Sequence, residues 1–576
     1  MATSIEDCKK YIKATVKQYR ITVAPYDEII EQCWRAVWPV IEKNAGDLNW
    51  FAQNDQEFSG IVLQVLQDYL NQQNAYDNRD RYAYRKNYPE FIFESFEVKR
   101  NPDGIHASYV YKIGEHTFRP TVFIALTEIT GVKERFINQQ FLEYLFFNFG
   151  IINAINYYKL TFSPKFIIKA GKLDAEQCAF FKKLFYYGLE ECMYRSELQL
   201  SYDEFMTIEC EAPEGHYVFN LPDEFHGCLI PVGGGKDSVV TLEALRPIKD
   251  DNLCLQYNRN IYPENVAAIN CIKLAGYSMD QTVDFNLTLD PLLFELNRQG
   301  YYNGHIPFSS CLAFASIIMA YLNHKEYIVL SNEASANEGN IVGTTINHQY
   351  SKSYEFERDF TQYVAKYFTH KIHYFSLLRC WNEYTIVKRF VEHPLYHSVF
   401  RSCNVGTKEN KWCAHCAKCL YVYIMLYPFV SDVRLRQIFG HNMLEDESLV
   451  DIFTGLVHPD ATKPFECVGT REEICYAIEE GLRRKPEQNP ALYRYYEKNL
   501  RTEAGGYNVE GYFNTENNIP EQFLDMLLHP EKYAVDEELD KNGEAPTDEP
   551  ETVTQDKVED EIADEPEPMD IWKTTL

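Results

Sequence analysis

The chain begins with apolar side chains at helical spacing. Up to about residue 85 they recur every three or four positions, which is the period of one helix face. The positions are Ile5, Ile12, Val16, Ile29, Cys33, Val37 and Ile41. Packing between helices accounts for this pattern, so we assign no chemistry here. Charged residues among the apolar positions of the first 20 residues predict an amphipathic helix and not a signal peptide.

Between residues 91 and 126 the apolar period shortens to two, which is typical of strands. Three such stretches are separated by turn residues at 101–104 and 114–115, and they predict a three-stranded antiparallel meander. Two aromatic-rich helices follow, near residues 140–158 and 174–194. We therefore predict an N-terminal α+β domain over residues 1–200.

From residue 227 onward, short apolar stretches alternate with helical ones. The predicted strands cover residues 228–232, 253–257, 282–285, 326–330 and 371–374. The predicted helices cover residues 237–245, 264–275, 309–322, 354–367 and 383–391. Such alternation predicts an α/β domain with a doubly wound parallel sheet that binds ligands at the carboxyl ends of its strands. We assign residues 201–532 to this domain, with further helices over residues 420–530.

The formal net charge is −29 over 576 residues, and almost half of it lies near the C-terminus. Between Asp536 and Asp570 there are 16 acidic residues and two lysines, so we predict a disordered tail over residues 533–576. The remaining acidity argues against nucleic acid as a partner. No apolar run approaches the ~20 residues that span a bilayer. The 16 cysteines without a secretory signal predict reduced thiols in a cytoplasmic protein.

A glycine loop separates the first strand and helix of the predicted parallel sheet. It consists of Gly233, Gly234, Gly235, Lys236, Asp237 and Ser238. Glycines let the backbone approach a ligand, and the amides at the start of the following helix point at an anion. Lys236 adds a positive charge and Ser238 a hydroxyl donor. The pattern favours phosphate binding over a turn of no special purpose, which would need fewer of these features.

The glycine loop resembles the pyrophosphate loop (PP-loop) of ATP pyrophosphatases, Ser-Gly-Gly-x-Asp-Ser, with Gly233 at the place of the first serine. Its spacing differs from the Gly-x-x-x-x-Gly-Lys-Ser/Thr loop of NTPases that transfer the γ-phosphate. The resemblance implies that ATP is cleaved between its α and β phosphates. AMP would then be transferred to an oxygen of the substrate.

Four closely spaced cysteines follow the predicted sheet: Cys403, Cys413, Cys416 and Cys419. A Cys-x-x-Cys-x-x-Cys run with a fourth cysteine nearby suits tetrahedral coordination of Zn²⁺ in a closed structural site. Iron–sulfur ligation uses similar spacing and stays open as an alternative. Four unrelated core cysteines would rarely occur at such spacing.

Three polar segments, at residues 303–310, 331–340 and 347–357, fall near the predicted carboxyl edge of the sheet. Solvated loops would explain any one of them, but three at one edge predict a ligand pocket. Glu333 and Lys352 offer acid–base groups. His305 and His348 are natural base candidates by residue type, although a structural role is open for both.

The polar segments, the glycine loop and the cysteines together resemble one family, the UDP-N-acetylmuramoyl-L-alanyl-L-glutamate epimerases (MurL) of bacterial peptidoglycan synthesis. The resemblance covers residues 90–490 and is clearest from residue 227. It is carried, in chain order, by Gly-Gly-Gly-Lys-Asp-Ser, Asn-Gly-His-Ile-Pro, Ser-Asn-Glu-x-Ser-Ala, Asn-His-Gln-Tyr-Ser-Lys-Ser, Leu-Leu-Arg, Trp-Cys-x-x-Cys-x-Lys-Cys and Pro-Phe-Glu-Cys-Val-Gly.

The resemblance implies that ATP and Mg²⁺ adenylate a carboxylate of UDP-MurNAc-L-Ala-L-Glu, after which a base removes the α-proton and an acid returns it on the opposite face. The catalytic residues it implies are Lys236, Asp237, Glu333, His348 and Lys352. The nucleotide would contact the glycine loop and Ser331. The substrate contacts it implies are Asn303, His305, Asn337, Ser353 and Arg379.

Two other functions stay open. Another adenylating enzyme with this loop, such as a 7-cyano-7-deazaguanine synthase, carries a similar four-cysteine arrangement. A non-catalytic nucleotide-binding module would keep the loop without the reaction. Cys467 is a further base candidate, since thiols act as bases in amino-acid racemases, but simple burial would also explain it. The expected partner is a small molecule, and the sequence does not determine the oligomeric state.

Overall fold

The computed structural model describes residues 9, 12, 26–43, 58, 60–66, 80–129, 137–213, 215, 219–221, 224–258, 265–341, 343–406, 409–501 and 509–533. The chain divides into two compact units, residues 1–83 and 84–576. The predicted tail beyond Tyr533 lies outside the described residues, as do Ile5 and Val16.

The first unit contains helix α1 (Tyr26–Lys43), which buries one apolar face. Its buried side chains include Cys33, Val37 and Ile41, at the three- and four-residue spacing that the sequence predicts. Ile12 and three side chains from residues 58–66 complete this small core. The predicted helical stripe is therefore confirmed for these positions.

The second unit is built on one sheet, and eleven strands of it lie within the described residues. They are β1 (Glu90–Asn101), β2 (Gly104–Ile113), β3 (His116–Phe118), β4 (Thr121–Ala125), β5 (Lys165–Lys172), β6 (Thr207–Glu211), β7 (Cys228–Pro231), β8 (Leu253–Tyr257), β9 (Thr282–Thr288), β10 (Tyr327–Leu330) and β11 (His373–Ser376).

Helices connect and cover these strands. After α1 they are α2 (Ala83–Asn87), α3 (Gln139–Asn153), α4 (Ile155–Tyr158), α5 (Ala175–Gly188), α6 (Glu190–Arg195), α7 (Tyr202–Phe205), α8 (Lys236–Leu245), α9 (Val266–Leu274), α10 (Leu292–Arg298), α11 (Phe308–Leu322), α12 (Tyr354–Tyr363), α13 (Glu383–Val391), α14 (Ala417–Leu426), α15 (Asp432–Phe439), α16 (Val450–Val457), α17 (Arg471–Arg484), α18 (Ala491–Asn499) and α19 (Glu521–Leu528).

The strand order across the sheet is β11-β10-β7-β8-β9-β4-β2-β1-β5-β6, with β3 paired to β2. Strands β7 to β11 are parallel. The chain runs outward from β7 through β8 to β9 and then returns to add β10 and β11 on the other side. The order therefore reverses between β7 and β10, and such a switch point opens the crevice in which α/β sheets bind ligands.

The predicted parallel α/β arrangement is confirmed, and β8 and α13 have the predicted bounds. The meander is also confirmed, with its third strand split into β3 and β4. Pro120, which lies between these two strands, has no N–H to donate to a neighbouring strand. The sequence analysis missed β5 and β6.

One pairing joins the meander to the parallel strands. Strand β4 runs antiparallel to β9, with Val122 opposite Leu287. The sheet is therefore continuous across the two predicted domains, and the boundary near residue 200 stays a prediction.

The apolar core of the parallel strands continues into the C-terminal helices, which confirms the helices predicted for residues 420–530. All ten residues of α14 are buried, so this helix has neighbours on every side. Among the described helices, none combines the length and the apolar character needed to cross a bilayer.

Candidate active site

The glycine loop lies at the switch point between β7 and α8, as predicted, and its last three residues form the first turn of that helix. The backbone N–H of Gly233 donates to Ser238 Oγ at 3.1 Å, which closes the loop. Gly234 has a φ of +83°, and a Cβ there would lie 2.6 Å from the backbone nitrogen of Ala268. Only glycine fits this position without strain.

Two residues of the loop belong to a largely buried group of charges that we call the carboxylate–lysine cluster: Lys236, Asp237, Glu333 and Glu383. The Lys236 ammonium group contacts the carboxylates of Asp237 and Glu383, and its side chain is 2% exposed. Burial by itself lowers the pKa of Lys236, but Asp237, Glu383 and Glu333 outweigh this effect and raise it. Lys236 therefore keeps its proton, and it neutralises negative charge in the interior.

The cluster contains three carboxyl groups and one ammonium group, so Lys236 cannot neutralise all of the carboxyl groups. Burial raises the pKa of both Glu333 and Glu383, and the nearby charge of Asp237 adds to that rise. The Asp237 side chain is 27% exposed, whereas the side chains of Lys236 and Glu383 are each 2% exposed. Its carboxylate is thus available to a divalent cation, which prefers oxygen ligands.

Ser331 follows β10 on the other side of the switch point. Its hydroxyl oxygen is buried and has no hydrogen-bond partner among the described residues. A buried hydroxyl is normally satisfied, so this group fits the predicted contact to a ligand in the crevice.

Arg379 lies behind the site and does not face the crevice. Its guanidinium group is fully buried, and it donates to the backbone oxygens of Glu333 and Lys352 and to the carboxylate of Glu357. Its side chain is used inside the protein, and substrate contact by Arg379 stays a prediction. It holds two polar segments in place.

Three other predicted substrate residues also have contacts within the protein. Ser353 caps α12 by accepting from the backbone N–H of Phe356 at 3.2 Å. The side-chain oxygen of Asn337 accepts from the backbone N–H of Tyr354 at 2.9 Å. Asn303 accepts from the Lys159 ammonium group at 3.0 Å. Substrate contact by these three side chains stays a prediction.

A second group of side chains, which we call the thiol cluster, consists of Cys467, Lys352, His348 and Glu191. Lys352 Nζ donates to Cys467 Sγ at 3.2 Å, and the imidazole of His348 is close enough to Cys467 for each to shift the pKa of the other. His348 Nδ1 lies 2.5 Å from Glu191 Oε2. Burial lowers the pKa of His348, but Cys467 and Glu191 outweigh it and raise the pKa to about 9.

His305 packs against the thiol cluster, with its ring centroid 4.0 Å from that of His348. Burial and the charge of His348 lower the pKa of His305 well below its ordinary value. The two predicted histidines are therefore brought together in opposite states, His305 neutral and His348 protonated.

Lys352 links the two clusters. The nearby charges of Cys467, Glu333 and Asp237 raise the pKa of Lys352, although burial by itself would lower it. The predicted catalytic residues Lys236, Asp237, Glu333, Lys352 and His348 thus form one continuous site. Sequence reasoning missed Glu191, which lies 157 residues from its partner His348 and gives no local signal.

The four predicted metal ligands also converge. Ligand atoms of Cys403, Cys413, Cys416 and Cys419 all lie within 4.8 Å of one another, and Cys419 Sγ is 3.6 Å from Cys413 Sγ. Thiolates that share one Zn²⁺ at 2.3 Å lie about 3.8 Å apart. The arrangement therefore suits a single tetrahedral ion.

The four-cysteine cluster supports the glycine loop through the backbone. The N–H of Arg401, two residues before Cys403, donates to the carbonyl oxygen of Gly234 at 2.9 Å. A Cβ added to Gly235 would lie 3.3 Å from Cys403's neighbour Ser402. The segment that leads into the cysteines therefore packs against the glycine loop.

Two family models match this chain, and together they include nearly all residues of the site. The model of the MurL N-terminal domain matches residues 83–377, and that of the MurL C-terminal domain matches residues 397–507. The chain belongs to the MurL family. The first MurL model includes the glycine loop and the polar segments, and the second includes the four cysteines and Cys467.

The chain is also similar to proteins named UDP-N-acetyl-alpha-D-muramoyl-L-alanyl-L-glutamate epimerase. The protein of Xanthomonas oryzae is 33% identical over 335 residues, which cover 56% of this chain and 71% of the relative. That of a Micromonospora species is 33% identical over 340 residues, covering 57% and 72%. That of Salinispora tropica is 32% identical over 336 residues, covering 57% and 71%. No solved structure matches.

We predict that Gly234→Ala destabilises the protein, because alanine at a positive φ costs roughly 1–2 kcal/mol and its Cβ would meet the backbone of Ala268. Gly233→Ala is the matched control, since a Cβ there has ordinary space. The midpoint of thermal unfolding should fall for Gly234→Ala and change little for Gly233→Ala. Equal midpoints would contradict this account of the loop.

We predict that Cys413→Ser loses bound zinc and lowers the unfolding temperature, because three thiolates bind Zn²⁺ less tightly than four. Elemental analysis of the purified protein measures zinc and iron together. Cys210→Ser, a partly buried cysteine outside the cluster, should keep its metal. Full zinc content in Cys413→Ser would reject the assignment, and iron in the parent protein would favour the iron–sulfur alternative.

Proposed function

We propose that the chain is an ATP-dependent epimerase that inverts the terminal L-glutamate of UDP-MurNAc-L-Ala-L-Glu in peptidoglycan synthesis. The observation that carries this proposal is the glycine loop at the switch point, beside buried acid–base groups, in a member of the MurL family. The relatives' names supply the substrate.

Activation of a carboxylate explains why an epimerase would need ATP. The α-proton of a carboxylate is weakly acidic, because its removal creates a second negative charge beside the first. Adenylation cancels the first charge and makes the carbonyl a better acceptor of electrons. A base then removes the α-proton, and a proton added to the opposite face inverts the centre. Hydrolysis of the adenylate releases the D-glutamyl product and AMP.

The glycine loop supports binding of the pyrophosphate half of ATP. The amides at the start of α8 and the dipole of that helix favour an anion, and Ser331 Oγ offers a free hydroxyl from the neighbouring strand. Asp237 would hold Mg²⁺, which neutralises phosphate charge when it is bound. Lys236 is held behind the loop by Asp237 and Glu383, so it acts by orienting the Asp237 carboxylate.

Glu333, Lys352 and His348 extend from the nucleotide end of the site toward the thiol cluster. Their charges act on one another, since Glu333 faces Lys352 and His348 faces Cys467. A glutamyl group that is adenylated beside Asp237 would therefore lie among proton donors and acceptors. His305, neutral beside His348, is available as a donor or acceptor to the substrate.

We further propose that the four-cysteine cluster holds structural Zn²⁺, because four sulfurs leave no open coordination position for catalysis. The expected partner is the nucleotide-linked small molecule alone. A cytoplasmic location agrees with the sixteen cysteines, because none of the described ones is in a disulfide.

One assay tests the proposed function. The protein is incubated with UDP-MurNAc-L-Ala-L-Glu, ATP and Mg²⁺, and both the nucleotide product and the chirality of the glutamate are determined. We expect AMP, pyrophosphate and D-glutamate. ADP in place of AMP would contradict the adenylation step, and AMP without D-glutamate would favour a different adenylating enzyme.

We predict that Asp237→Asn lowers the rate of AMP formation by roughly 10²-fold or more, which is typical of losing one charge-stabilising group. Asp250→Asn is the matched control, because its carboxylate is 94% exposed on the surface. Circular dichroism should show that both variants fold. Undiminished AMP formation in Asp237→Asn would remove the glycine loop from the mechanism.

A further inference from the structure

The sulfur of Cys467 has no assigned role in the proposed function. It lies in the segment between α16 and α17 and is partly buried. The Lys352 ammonium group donates to it at 3.2 Å, and Lys418 donates to the carbonyl oxygen of the same residue. The imidazole of His348, which is bound to Glu191 at 2.5 Å, is close enough to lower the pKa of this thiol. Three cationic or protonated groups thus surround one cysteine.

The charges around this sulfur favour the thiolate. Lys352 and His348 lower the pKa of Cys467 well below its ordinary value, although burial by itself would raise it. Thiolates are stabilised by neighbouring lysine and protonated histidine. Glu191 is bound to His348 at 2.5 Å, so it keeps that imidazole protonated and oriented toward the sulfur.

A cysteine without such neighbouring charges behaves differently. Cys178 on α5 is also partly buried, but burial raises its pKa to about 11 and it has no lysine against its sulfur among its described contacts. Thiols of that kind remain protonated at neutral pH. Cys467 is therefore distinguished by its neighbours and not by its burial.

Cys467 is connected to the nucleotide end of the site through Lys352. Lys352 contacts its sulfur and is also within the charge of Glu333 and Asp237. Arg379 fixes the backbone of Glu333 and of Lys352. Lys352 therefore lies between the cluster at which the carboxylate would be activated and the Cys467 thiolate.

We propose that the Cys467 thiolate is the base that removes the α-proton from the adenylated glutamyl group, with Lys352 and His348 as its positioning residues. This inference rests on the proposed function. Lys352 and His348 are themselves poor bases here, because their raised pKa values keep them protonated.

The proton transfer balances within the site. The C–H bond at the α-carbon breaks, its proton moves to the sulfur, and its electron pair passes to the carbonyl oxygen of the mixed anhydride. Negative charge thereby moves from the sulfur to the substrate while the Lys352 ammonium group stays beside both. A proton derived from water is added to the opposite face of the carbon, and the Cys467 thiol then returns its proton to water.

The test separates proton removal from adenylation. The parent protein, Cys467→Ser and the matched control Cys178→Ser are incubated in deuterated water with UDP-MurNAc-L-Ala-L-Glu, ATP and Mg²⁺. For Cys467→Ser we expect AMP to form as before, while D-glutamate and deuterium at the α-carbon fall by about 10²-fold or more, the usual contribution of a positioned base. The control should match the parent.

The outcomes are distinguishable. Full epimerisation with deuterium uptake by Cys467→Ser would overturn the inference and leave the proposed function standing. Loss of epimerisation in His305→Gln while Cys467→Ser stays active would also overturn it, since the neutral imidazole would then be the base. A parent protein that forms no AMP would contradict the proposed function itself.

Alkylation of the native parent protein provides a second measurement that does not depend on a folded Cys467 variant. Iodoacetamide reacts with thiolates, and mass spectrometry of the peptides gives the rate at each cysteine. We expect Cys467 to react faster than Cys178 at neutral pH and to slow in Lys352→Met. A rate at Cys467 no higher than that at Cys178 would overturn the inference.

Discussion

The buried ammonium group of Lys236 is the interaction on which the rest of the site depends. An unpaired charge in the interior costs several kcal/mol, so Lys236 requires the carboxylates of Asp237 and Glu383. These groups lie on α8 and α13, and the two helices must therefore keep a fixed separation. Because the last three residues of the glycine loop form the first turn of α8, this requirement also fixes the loop at the switch point.

The carboxylates that hold Lys236 create a second requirement, since Asp237, Glu333 and Glu383 repel one another. Lys352 offsets part of this repulsion from the other side, and the same lysine contacts the sulfur of Cys467. Charge balance in the carboxylate–lysine cluster and a hydrogen bond to the sulfur of Cys467 are thus two effects of one side chain. The arrangement is a connected network and not two separate sites.

The sequence predicts what depends on neighbouring residues. The glycine loop, the cysteine spacing and the bounds of β8 and α13 follow from local pattern, and the structure agrees with them. Contacts between distant residues leave no such pattern: Lys352 and Cys467 are 115 positions apart. Arg379 is a substrate contact that the family resemblance implies, whereas its complete burial is set by tertiary packing.

The pairing of β4 with β9 limits how far the protein can be treated as modular. If the chain were cut between the meander and the parallel strands, each piece would be left with an open row of backbone donors and acceptors along a formerly interior strand. Such unprotected edges readily pair with other chains. The N-terminal strands therefore cover what would otherwise be an exposed edge of the parallel strands.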